Sequence, residues 1–178
     1  MNPAWNSSRL PLRLAAGALL AELAHLAWEH LHGGILTHHI MRSAELPGLS
    51  NAWGLLLLPA LAAWAGWCIE TRRASGARPA TLIASGLIAL LLGLALSSAF
   101  AAGLQDLTFS IFLGVLVLAV LLPGYRAECW LGFVLGMSFT FGAVIPTVVG
   151  GIIAGLSALI HRGLKPAAVR GWAAFKRD

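Results

Sequence analysis

The sequence predicts an all-α polytopic transmembrane helix bundle of five or six helices. Apolar residues make up 58% of the 178-residue chain and charged residues only 11%, and the mean hydropathy is +0.82. Soluble domains carry about 25% charged residues, so this chain lacks the groups needed to cover its surface in water. Apolar stretches of membrane-spanning length recur without the period-2 alternation of a β-barrel. We therefore expect the lipid bilayer to be a partner of the chain.

Four apolar stretches are predicted as single spans, because each approaches the roughly 20 residues that a membrane-crossing helix needs. They cover residues 11–32, 52–70, 80–102 and 107–123.

The last apolar stretch, from Cys129 to His161, is too long for one span. Proline removes a backbone donor and clashes with the preceding turn, so a break is predicted near Pro146, at Val144-Ile145. Two short helices or a re-entrant hairpin then follow the first four spans. A single long kinked helix, giving five spans, is the alternative.

Basic residues lie at the ends of the apolar stretches rather than in one patch, so the net charge of +5 does not indicate a nucleic-acid partner. A returning last stretch would place every basic cluster on one side, as the positive-inside tendency favours. We therefore expect both termini in the cytoplasm and the protein in a bacterial inner membrane. Residues 1–161 would form a single transmembrane domain, and residues 162–178 a basic tail in the cytoplasm or on the membrane surface.

The first span carries an unusual line of ionisable residues. Glu22, His25, Glu29 and His32 are spaced three, four and three residues apart, which places them on one stripe roughly 80° wide on a helix. Such groups are unfavourable in contact with acyl chains, at about 2.5–3.5 kcal/mol for a charge at the bilayer centre. The stripe is therefore predicted to face the bundle interior or a wet cavity.

Three chemistries fit the stripe. Glu22, His25, Glu29 and His32 could relay protons, because imidazole titrates near neutrality. The set could also bind a divalent transition metal, since imidazole and carboxylate suit such ions. Its candidate ligands are His25, Glu29, His32, His38 and His39. Alternatively, the acids and histidines could simply pair as a buried polar seam. His38 and His39, beyond the helix end, could collect ions at the outer mouth.

The interrupted last stretch offers a possible gate. Transporters often expose backbone groups at Gly- or Pro-interrupted apolar segments, and Pro146, Gly150 and Gly151 fit that device. GxxxG spacing at Gly132/Gly136 is typical of close helix contacts, here expected between the last two helices.

The leading functional hypothesis is a small transporter or channel-like protein that moves protons or a divalent transition metal along the first helix. A membrane-embedded metalloenzyme with Glu and His ligands is the second hypothesis, and a non-catalytic scaffold subunit is the third. No catalytic motif such as HExxH or GxSxG is present, so a non-enzymatic role is favoured and no catalytic residue is assigned. A second copy of the chain and a small ion or solute are the expected partners.

Overall fold

The structure, a computed structural model, describes residues 9–39 and 48–176. This part of the chain forms α-helices joined by short connections, with one small antiparallel hairpin between the first two helices. The helices are α1 (Leu10–Leu31), α2 (Gly54–Ala74), α3 (Pro79–Ala101), α4 (Gln105–Leu121), α5 (Ala127–Phe141), α6 (Val144–Ala158) and α7 (Lys165–Phe175). The hairpin pairs β1 (Thr37–His39) with β2 (Gly48–Ser50). The sequence did not predict these two strands, which are only three residues long.

Within the described residues, four helical segments are long and apolar enough to cross a membrane: Leu10–Leu31, Asn51–Ala74, Pro79–Ala101 and Val144–Arg170. The length and composition of these helices support the prediction of a helical membrane protein. Helices α4 and α5 are apolar but have only 17 and 15 residues. At 1.5 Å per residue they extend roughly 26 and 22 Å, less than the ~30 Å hydrocarbon thickness. The number of helices that cross the bilayer therefore stays a prediction.

The last apolar stretch changes direction at a glycine. Helix α5 ends at Phe141, and Gly142 has a φ of +66°, a conformation that residues with a side chain rarely adopt. Helix α6 begins at Val144, so Pro146 lies in its first turn, where a missing backbone N–H removes no helical hydrogen bond. The Ser157 hydroxyl at the far end of α6 donates to the Leu122 carbonyl at 3.3 Å. Helix α6 therefore runs back toward the end of the bundle where α5 began.

Glycines bring α3 and α5 into close contact. A methyl group added at Gly132 would collide with the Gly86 carbonyl, and one at Gly136 with the Leu90 carbonyl. A methyl group at Gly93 would lie 2.6 Å from the Phe133 carbonyl. The helix backbones can approach this closely only because small residues occupy the contact.

Gly132 and Gly136 of the GxxxG pair pack against α3, a partner that the sequence did not identify. The expected contact of the last two helices is also present, because Gly150 of α6 lies against Trp130 of α5. On α6, a methyl group added at Gly151 would lie 3.0 Å from the Trp130 indole, and one added at Gly155 would have nothing within 4 Å. Spacing within one helix marks a surface for close contact, but it does not say which helix will cover it.

Basic residues lie together at one end of the bundle, which we call the basic end. It is formed by the ends of α2 and α4 and by the starts of α3, α5 and α7. Arg72 on α2 pairs with Glu128 on α5. Lys165 Nζ lies 3.4 Å from the Val120 carbonyl, and the Arg162 guanidinium lies 4.4 Å from the centroid of the Tyr125 ring. The hairpin lies at the opposite end, between the end of α1 and the start of α2. Which end faces the cytoplasm stays a prediction.

Candidate functional site

Three of the four residues in the predicted stripe come together on α1. Glu22 and Glu29 are each only 3% exposed. The His25 ring lies between them, with Nδ1 3.5 Å from Glu22 Oε2 and Nε2 3.4 Å from Glu29 Oε1. The prediction that these carboxylates face inward is confirmed. We call Glu22, His25 and Glu29 the Glu–His–Glu site.

Glu29 is held by the connection between α1 and α2. Asn51 Nδ2 donates to Glu29 Oε1 at 2.6 Å, and the Leu36 backbone N–H donates to Glu29 Oε2 at 3.2 Å. The Asn51 backbone N–H in turn donates to the Leu36 carbonyl at 3.0 Å. One carboxylate therefore joins both ends of the hairpin-bearing connection. Sequence reasoning missed Asn51, because an asparagine just before an apolar helix is an ordinary helix-start residue.

Glu22 lies farther from the hairpin along α1 than Glu29, and its carboxylate accepts fewer hydrogen bonds. Its Oε1 atom is buried and has no hydrogen-bond partner among the described residues. Gly54, the first residue of α2, packs against it, and a methyl group there would collide with the Glu22 carboxylate. Buried polar atoms in proteins are nearly always hydrogen-bonded, so an exception calls for an explanation. A carboxylate that gains and loses a proton is one.

Aromatic rings cover the histidine. The Phe139 ring of α5 lies 4.8 Å from the His25 ring centroid and 5.8 Å from that of Trp28. These contacts leave the His25 side chain 9% exposed. Each nitrogen of the His25 ring therefore lies beside a carboxylate, and the Phe139 ring lies next to the imidazole.

His32, the fourth residue of the stripe, does not join the site. It is exposed, its Nδ1 lies 2.8 Å from the Trp28 carbonyl, and its ring stacks on the Trp28 indole at 4.5 Å. The expectation of an inward-facing His32 was therefore wrong. Helix α1 ends at Leu31, so the periodicity that aligns the other three residues no longer applies.

The proposed histidine collector is described only by its backbone. His38 and His39 belong to β1, where they pair with Leu49 and Gly48 of β2. Their side chains lie outside the described part of the structure, and their role as ion collectors stays a prediction.

No group of three or more His, Cys, Asp or Glu side chains among the described residues is arranged to hold a metal ion. His25 directs opposite ring nitrogens at Glu22 and Glu29. A single ion with bonds of about 2.0–2.2 Å cannot bind one imidazole together with both carboxylates in this arrangement. Metal binding by the predicted ligand set stays a prediction.

The predicted gate residues lie against a tryptophan. Pro146 is fully buried. A methyl group at Gly150 would lie 2.8 Å from Trp130 Cδ1, and one at Gly151 would lie 3.0 Å from Trp130 Cζ2. The indole Nε1 donates to the Thr147 carbonyl at 3.3 Å. The glycines thus make room for the Trp130 ring, and their part in gating stays a prediction.

A third buried acid, Glu128, was missed by sequence reasoning. It is 4% exposed, pairs with Arg72, and accepts a hydrogen bond from the Ser85 hydroxyl at 3.4 Å. Its Oε2 atom has no partner within the described chain. Glu128 and Arg72 are 56 residues apart in sequence, so no local pattern could have revealed the pair.

Comparison with protein-family models, with curated proteins and with solved structures found no match for this chain. In the part of the chain that the structure describes, the protein is helical, with four helices long and apolar enough to cross a membrane and a buried Glu–His–Glu site on the first of them.

Replacing Asn51 with leucine is expected to destabilise the protein, because the buried Glu29 carboxylate would lose the hydrogen bond that Asn51 Nδ2 donates to it. Leaving such a group unsatisfied costs about 1–3 kcal/mol, and more when the group is charged. Thermal unfolding in detergent measures the change. Gln105→Leu, at the exposed start of α4, is the matched control. Equal shifts in the two variants would contradict the role given to Asn51.

Proposed function

We propose that this protein is a small transporter or channel-like membrane protein in which the Glu–His–Glu site relays protons. The observation that carries the proposal is the position of His25, with one buried carboxylate beside each ring nitrogen. The neighbouring groups are held apart from acyl chains, since both glutamates are almost fully buried. Intramembrane ionisable residues in such a setting commonly mark proton or ion pathways.

The chemistry of imidazole suits this position. A neutral ring has one N–H donor and one acceptor nitrogen, and the protonated ring has two donors. His25 can therefore accept a proton from a neutral Glu22 on one nitrogen and pass another to Glu29 from the opposite nitrogen. After the transfer the ring N–H is on the opposite nitrogen, and the ring must return to its first tautomer before the next proton passes.

The two carboxylates have different surroundings, which gives the relay two distinct ends. Glu29 lies beside the hairpin connection and accepts two hydrogen bonds from it. Glu22 lies seven residues earlier, roughly 10 Å deeper along α1, and keeps one oxygen unpartnered among the described residues. That oxygen is the atom on which we place a proton at the inner end of the relay.

Proton flux into proteoliposomes tests the proposal. The purified protein is reconstituted with a pH-sensitive dye inside, and a potassium diffusion potential is applied with valinomycin. We expect flux above that of protein-free liposomes, and its loss in Glu22→Gln and in His25→Gln. Asp106→Asn, an exposed acid at the start of α4, is the control and should keep the flux.

The outcomes separate the alternatives. Flux that persists in both site variants would contradict the relay. Uptake of Zn²⁺ or Mn²⁺, reported by an internal chelating dye and dependent on Glu29, would favour the divalent-metal cargo instead. Absence of any flux, with stoichiometric metal lost on His25→Ala, would favour a metalloenzyme. Absence of both, with a co-purifying protein lost on Glu22→Leu, would favour a scaffold subunit.

The orientation belongs to the same proposal. We place both termini in the cytoplasm of a bacterial cell, because the basic residues gather at one end of the bundle and cytoplasmic loops carry an excess of Lys and Arg. The hairpin and Glu29 would then lie near the outer surface, where protons enter or leave the relay.

A further inference from the structure

A partly open cavity of about 240 Å³ lies between α3, α4, α5 and α6, away from the Glu–His–Glu site. Its wall is almost entirely hydrocarbon, with Leu92, Val115, Ala119, Phe133 and Ile153 among the residues that form it. The hydrocarbon part of this lining offers no hydrogen-bond partner to a hydrated solute. Its volume and lining fit part of an acyl chain.

The rim of the cavity carries a cation without a partner. Arg126 lines the cavity at its basic end and is half-buried. Its guanidinium makes no ion pair or hydrogen bond with any residue in the described ranges 9–39 and 48–176. Glu128, two residues away, does not neutralise it, because that carboxylate is paired with Arg72. A fixed positive charge therefore remains at the mouth of an apolar cavity.

The floor and side of the cavity are shaped by close packing. A methyl group added at Gly124 would lie 3.4 Å from the Cα of Ala119, and one added at Gly150 would lie 2.8 Å from Trp130 Cδ1, so both glycines leave room for their neighbours. The Trp130 ring and Ser85 also line the cavity.

We infer that the cavity binds an anionic phospholipid of the surrounding bilayer, with part of one acyl chain between α3, α4, α5 and α6 and the phosphate on Arg126. A guanidinium binds phosphate oxygens through two parallel hydrogen bonds. Anionic lipid is attracted to Lys and Arg residues at the membrane surface. Arg72, Arg162 and Lys165 lie at the same end of the bundle as Arg126.

Quenching of tryptophan fluorescence by lipids with brominated acyl chains tests this inference. Purified protein in detergent is titrated with brominated phosphatidylglycerol and, separately, with brominated phosphatidylcholine. Trp130 lines the cavity, so the signal of interest is the quenching lost in Trp130→Phe. We expect the anionic lipid to bind several-fold more tightly than the zwitterionic one.

Two further variants assign the headgroup and chain contacts. Arg126→Gln should weaken binding of the anionic lipid about tenfold, as expected for loss of a charged hydrogen-bond donor. The exposed Arg78→Gln, at the start of α3, should not. Ala119→Phe should fill the cavity and weaken both lipids. Should Ala119→Phe fail to fold, Arg126→Gln decides alone, since its side chain lies at the rim.

Three results would overturn the inference. Equal affinity for the two lipids would remove the headgroup preference, and equal effects of Arg126→Gln and Arg78→Gln would remove the assigned contact. Displacement of the anionic lipid by millimolar inorganic phosphate would indicate a site for a soluble anion instead. None of these readouts depends on proton flux, so they stand apart from the proposed function.

Discussion

Replacing Arg72 with methionine is expected to lower the free energy of unfolding by up to about 3–5 kcal/mol, because it leaves the Glu128 carboxylate buried without its counter-ion. The Arg72 side chain is 28% exposed, so water can replace part of the lost interaction and the effect should fall toward the lower value. The Ser85 hydroxyl alone cannot compensate, since it lies 3.4 Å from the same carboxylate oxygen. Reversible unfolding in mixed detergent measures the change.

The neighbouring arginine provides the control for this experiment. Arg73→Met removes the same charge from the same helix end, but Arg73 is exposed and forms no ion pair within the described chain. It should shift stability by less than about 0.5 kcal/mol, as for other surface substitutions. The double variant Arg72→Met/Glu128→Leu should recover most of the loss, because no buried charge then remains. Equal losses for Arg72→Met and Arg73→Met would show that the pair does not stabilise the bundle.

Alanine at Gly136 is expected to lower the stability of the bundle by about 1–3 kcal/mol, the usual effect of overpacking a close contact. The added methyl group would meet the backbone of α3 at the Leu90 carbonyl and, at 2.8 Å, the Leu94 nitrogen. Backbone atoms cannot rotate away as the end of a side chain can, so α3 and α5 would have to separate. Thermal unfolding in detergent measures the loss.

Gly114→Ala provides the matched control, because Gly114 lies in α4 with nothing within 4 Å of an added methyl group. Alanine favours helix over glycine by about 0.8–1.0 kcal/mol in helix interiors. The control should therefore leave stability unchanged or raise it slightly, so that the two substitutions move in opposite directions. A fall of equal size at both positions would mean that the α3–α5 contact is not as close as described.

The helical class and the carboxylate stripe were predictable because both depend on local order in the sequence. Twenty or so apolar residues in a row favour a membrane helix wherever they occur. A spacing of three and four residues places Glu22, His25 and Glu29 on one side of any α-helix, and the structure brings them together. The same rule failed for His32, since the helix ends one residue before it.

The break in the last apolar stretch shows the limit of a local rule. Proline strongly predicts interruption, yet Pro146 lies in the first turn of α6, where it is tolerated. The chain turns at Gly142, whose positive φ is open to glycine without strain. Which of two nearby helix-disfavouring residues marks the turn depends on how α5 and α6 pack.

By itself, the sequence determined that this chain forms apolar helices and that the first of them carries two acids and a histidine on one side. Those features follow from composition and helical periodicity, which act over a few residues. The tertiary structure alone decided that Asn51 and Leu36 bind Glu29, that Gly54 makes room for Glu22, and that Arg72 neutralises Glu128. These contacts join helices and connections distant in sequence, and only the packing of helix against helix fixes which residues meet.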